Sequence, residues 1–165
     1  MERNTFFESA NDLIAYLYAR FPDSTPLSPI KIQKILYFMF AYYGANIGSI
    51  TEQDTENTDM DETYPKYLFP EKFEAWRYGP VIRDVYFKNK NNEYDDFDKF
   101  DYSNLDSEVL EYLDDLFAQL NDINDFSLVQ RSHLDKAWKE TYDSNQPYRS
   151  DEMNNELIIK EYMVE

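Results

Sequence analysis

Cysteine is absent from the 165-residue chain, so neither a disulfide framework nor a thiolate metal site can be built. Glycine occurs only three times. A phosphate-cradling glycine loop and a sandwich of tight turns both need more, and neither is expected. Histidine occurs once, at His133, which leaves a zinc site short of its usual ligands. No apolar run approaches the roughly 18 residues that a membrane span requires. Residues 1–10 mix charge with Phe6 and Phe7 and lack a signal-peptide core. These features predict a soluble, cytoplasmic protein. Basic residues are scarce as well: 16 Lys and Arg stand against 33 Asp and Glu, for a net charge of −17. That balance repels phosphate backbones and anionic membranes, so direct binding to either is not expected. It suits a protein with a basic partner, or one that imitates nucleic acid.

Aromatic residues are abundant. Fifteen Tyr and 12 Phe contribute to an 18% aromatic, 42% apolar composition, which a disordered chain would not carry. Ser9 is a candidate N-cap with Asp12 three residues on, and Leu13, Ile14 and Leu17 give the helix its apolar stripe until Phe21-Pro22. Ser28-Pro29 opens a stronger helix, with Ile32, Ile35, Leu36, Met39, Phe40 and Tyr43 at spacings of three and four. Lys31 and Lys34 fall off that stripe, and Gly44 or Gly48 can end it. Residues 69–78 read as a short extended or hairpin-like piece, and Gly79-Pro80 as the start of another helix. Further helices are expected from Asp106, from a Ser127 cap, and from residues 150–152 onward. The pattern predicts a mainly α fold, a single compact helical domain over residues 1–165 with a small β-hairpin element.

Charge is unevenly spread. An acidic loop insertion occupies about residues 49–66, where Glu52, Asp54, Glu56, Asp59, Asp61 and Glu62 have no Lys or Arg between them. Residues 93–125 hold twelve acids and one base, Lys99, whereas residues 66–90 hold six bases and three acids. The insertion is a candidate surface for a basic partner, with a solvated spacer as the alternative. In the basic stretch, Trp76 and Tyr78 beside Arg77 and Arg83 have the composition of a protein-binding hot spot. The same aromatic pair also reads as a core anchor, with Gly79 and Pro80 directing the chain, and the two roles are compatible.

Three segments carry a resemblance to a known family: SPIKIQKILYFMFAYY over 28–43, FEAWRYGPVIRDVY over 73–86 and LVQRSHLDKAWKETY over 128–142. In order and spacing they resemble the Panacea domain, across about residues 9–163. The resemblance implies a phage-associated antitoxin-type protein that neutralises a toxin by direct binding. Toxins of that kind include alarmone-synthetase-like enzymes, and a relative acts as an adaptor to a protease. It also implies structural roles for Gly79, Pro80, His133 and Trp138. The long acidic insertion departs from the family, whose corresponding connection is usually short.

Catalytic chemistry is not expected. Ser132 and His133 are helix neighbours and point about 100° apart, so His133 is expected to pack and hydrogen-bond beside Trp138. Asp59-Met-Asp61 and Asp96-Phe-Asp98 lack the glycine and distal glutamate of a calcium loop. No catalytic residue, metal ligand or cofactor is assigned. The sequence reading is a protein-binding antitoxin or neutralising adaptor. Its alternative is a phage-encoded, anti-CRISPR-like inhibitor of a host-defence nuclease, acting as an acidic nucleic-acid mimic.

Overall fold

A computed structural model describes residues 5–49, 64–94, 100–146 and 149–163. Its centre is set by local sequence. Helix α1 (Ala10–Arg20) starts where the Ser9 side chain accepts a bond from the Asp12 amide. Its first amide is held from elsewhere in the chain, by Glu71 Oε1 at 2.9 Å. Helix α2 (Pro29–Tyr43) has Ser28 as N-cap and Pro29 in its first turn, and runs on into a π-helical turn, Gly44–Gly48.

Helix α2 is apolar almost all round. Ile35, Leu36, Tyr37, Phe38, Met39, Phe40, Ala41 and Tyr43 are all buried, which a helix at the centre of a domain requires. Burial of each large side chain contributes on the order of 2–3 kcal/mol. Lys34 goes inside with them at 2% exposure, although the spacing places it off the stripe.

A β-hairpin follows. Strand β1 (Glu74–Trp76) pairs antiparallel with β2 (Gly79–Val81), Trp76 opposite Gly79, leaving Arg77 and Tyr78 as a two-residue loop. Gly79-Pro80 therefore belongs to a strand, and helix α3 (Arg83–Lys90) begins later. Gly79 has φ +107°, a left-handed conformation that the tight loop needs and glycine tolerates.

Helix α4 (Ser107–Asn121) begins where its sequence predicts and is capped by Asp106. Helix α5 (Asp125–His133) is capped by Asn124, three residues before the expected Ser127. Leu134 and Asp135 break the chain before a one-turn helix α6 (Lys136–Lys139). The last helix, α7 (Asn155–Lys160), is capped by Asn154. Residues 151–153, expected to be helical, are instead extended along β1. The Ala75 amide donates to Asp151 and the Met153 amide to Phe73, because the exposed edge of β1 offers unpaired backbone groups.

The described residues thus form seven α-helices and a two-stranded sheet, a mainly α fold with a small hairpin. Helix α2 touches β2, α3, α4, α5 and α7. One continuous cluster of buried side chains runs from Phe6 to Ile159. The acidic residues Glu52, Asp54, Glu56, Asp59, Asp61 and Glu62, and the Asp96-Phe-Asp98 segment, lie outside the described residues.

Candidate functional site

The hairpin is held from below by two neighbouring side chains of α2. Gln33 acts like a strand residue: its Oε1 accepts from the Ile82 amide at 2.8 Å and its Nε2 donates to the Ile82 carbonyl at 3.2 Å. Lys34 donates from Nζ to the Pro80 carbonyl at 3.1 Å. Its stem runs under Gly79, where an added Cβ would lie 2.8 Å from Lys34 Cε and 2.6 Å from Ser132 Oγ. Glycine is favoured here by φ, and any added Cβ would have to displace Ser132 Oγ and the end of Lys34.

The junction of α5 and α6 holds the hairpin from the side. Trp138 Nε1 donates to the Trp76 carbonyl at 2.8 Å, and His133 Nε2 lies 3.1 Å from the Arg77 carbonyl. The two rings stack with centroids 4.1 Å apart, and Tyr142 stacks on Trp138. His133 thus packs and hydrogen-bonds beside Trp138, as its sequence setting predicts. Burial, the largest influence, lowers its pKa, and the nearby Lys34 charge acts the same way. Ser132 Oγ donates to the Val129 carbonyl at 2.8 Å, so its proton is directed away from the imidazole. Asp135, buried nearby, accepts from the hydroxyls of Tyr37 and Tyr162, each at 2.6 Å.

Trp76, Arg77, Tyr78 and Arg83, the four hot-spot candidates, come together along one open groove of about 540 Å³. Trp76 is half-buried, but Tyr78 is 60% exposed at the hairpin tip and does not anchor the core. Tyr86 meets Trp76 edge-on with centroids 5.0 Å apart, while the side of α2 contributes Ile30, itself 44% exposed. Arg83 lies over the Trp76 ring and makes two 3.0 Å bonds to Glu74, which also accepts from Trp76 Nε1. Glu74 and Arg83 therefore neutralise each other. Arg77 lies over the Tyr78 ring.

Sequence reasoning missed the floor of this groove. Gln33 and Lys34 lie within the 28–43 segment but carry no assigned role there. The available signal was the uninterrupted apolar run that follows them, which marks α2 as central and its first turns as covered.

No group of His, Asp and Glu suited to a metal ion occurs among the described residues. No helix among them is long and apolar enough to cross a membrane.

Residues 60–139 match the family model described as antitoxin SocA-like, Panacea domain. The match covers the hairpin, α3, α4, α5 and α6, a shorter stretch than the resemblance over 9–163. No curated protein and no solved structure matches the chain.

Proposed function

We propose, from the Panacea domain at residues 60–139, that this chain is a binding protein, an antitoxin or neutralising adaptor that masks a toxin by direct contact. The family is described by its antitoxin member, which supports a protein partner and a non-enzymatic role. The observation that carries the reading onto a surface is the hairpin tip. Tyr78 is exposed at 60%, yet the backbone beneath it is fixed by Lys34, Gln33, His133 and Trp138. A large aromatic side chain on a rigid loop loses little entropy when it binds, which is what a contact hot spot needs.

The test is co-expression with the product of the adjacent gene. That product should be toxic alone and tolerated with the intact chain, and the Tyr78→Ala variant should lose protection while remaining folded. A harmless neighbour, or a toxic one that never binds the chain, would overturn the reading.

The net charge of −17 favours a second reading, inhibition of a basic host-defence nuclease by acidic mimicry. Changing Glu52, Asp54, Glu56, Asp59, Asp61 and Glu62 to Gln and Asn should then slow association and flatten its salt dependence. Absence of nuclease binding at low salt would eliminate it.

A further inference from the structure

The groove has a chemistry opposite to that of the chain as a whole. Acids outnumber bases by 33 to 16, yet the groove is lined by Lys34, Arg77 and Arg83 and, among the described residues, by no Asp or Glu. Arg83 is already paired with Glu74. Neither Lys34 nor Arg77 is in an ion pair among the described residues. Lys34 is the unusual one. At 2% exposure its ammonium has given up water, and the Pro80 carbonyl is its single hydrogen-bond acceptor among the described residues. An ammonium has three donors, and a buried cation without an anion is costly to maintain. Burial pushes its pKa down to about 7.

Resting on the reading that this groove receives a protein partner, we propose that its occupant is a partner segment with an Asp or Glu side chain beside an apolar one. The carboxylate pairs with Lys34 Nζ at the floor, and Arg77 guides it from the rim. The apolar neighbour packs against Trp76, Tyr78 and Tyr86. Lys34 lies under the hairpin and cannot reach out to a flat surface, so the acid must enter the groove. Gln33 is already committed to Ile82 and does not compete for it.

The probe is an acetylated, amidated Gly-Leu-Glu-Leu-Gly peptide, compared with its Gln counterpart, titrated into the isotope-labelled full chain and followed by NMR. The Glu peptide should saturate with shifts at the Gly79 amide and the Trp76 indole, and the Gln peptide should bind at least about tenfold more weakly, the low end for a close charge pair. Lys34→Met keeps a long unbranched side chain, one atom shorter, and removes its charge. It should bind both peptides alike while keeping a melting temperature at or above that of the unmodified chain. Equal binding of the two peptides, no binding at the groove, or a Glu preference that survives in a folded Lys34→Met variant would each overturn the proposal. If Lys34→Met fails to fold, the Glu-versus-Gln ratio on the unmodified chain decides alone.

The broader antitoxin reading fails separately. If Tyr78→Ala abolishes toxin neutralisation while the peptides show no acid preference, the partner surface stands and the carboxylate pairing falls. If the acid preference holds but the adjacent gene product is harmless, the groove chemistry stands and the antitoxin role falls.

Discussion

Trp138 and Trp76, 62 positions apart, are joined by a single bond: the Trp138 indole nitrogen donates to the Trp76 carbonyl at 2.8 Å. This bond fixes the last residue of β1 just before the loop that presents Tyr78. Removing the donor while keeping an aromatic ring separates its role from packing. Trp138→Phe should lower stability by about 1–2 kcal/mol, since a part-buried carbonyl is left without its partner. Urea unfolding measures that cost. Amide exchange at Arg77 and Tyr78 should rise more than exchange in α2, and uniform exchange across both regions would refute the link.

Gly79→Ala should be far more damaging than its size suggests. The added methyl lands 2.6 Å from Ser132 Oγ and 2.8 Å from Lys34 Cε, on a residue with φ +107°. Strain and overlap together should cost at least about 2 kcal/mol. A drop in melting temperature of less than a few degrees would show that the hairpin relaxes freely.

Tyr78→Ala should do the reverse. Its side chain is 60% exposed, and substitutions at such positions change stability by only about 0.5 kcal/mol. Partner affinity should fall at least about thirtyfold if Tyr78 is a hot spot. Unchanged affinity for a verified toxin would remove this residue from the interface.

Lys34 gives the protein a specific response to alkali. Its pKa is 10.5 in the unfolded chain and, through burial, about 7 in the folded one. Between these values the unfolded chain holds a proton that the folded chain has released, so stability rises with pH. Below about 7 both forms are charged and the full burial cost applies; above 10.5 both are neutral and the cost is gone. From pH 7 to 8.5 the gain relative to Lys34→Met should be about 2 kcal/mol. Paired urea titrations of the two proteins at both pH values measure it. A difference that does not change with pH would mean that Lys34 stays charged in the fold.

Much of this architecture is legible in the sequence where the signal is local. Ser9, Ser28 and Asp106 sit at helix N-caps because a short polar side chain before an apolar stripe meets free amides. The failures come where a distant partner decides. Residues 151–153 have helix-like polarity but are claimed by the edge of β1. Asn124 outcompetes Ser127 as the cap of α5 because it too can accept a bond three residues on. Pro80 suits a helix start, yet the two-residue loop at Arg77 and Tyr78 draws it into β2. The rim of the groove, Trp76, Arg77, Tyr78 and Arg83, was legible as a composition. Its floor was not, because Lys34 reads as a surface residue until the hairpin covers it.

The pairing of β1 with residues 151–153, and the seating of β2 on Gln33 and Lys34, have a consequence for inheritance. The matched stretch, 60–139, contains the hairpin but neither α2 nor the segment along its outer edge. Recombination that moved only this stretch into another gene would carry the hairpin with His133 and Trp138 but without Gln33, Lys34 and the 151–153 edge. The hairpin is therefore only partly a portable part, because half of the side chains that seat it come from outside the matched stretch.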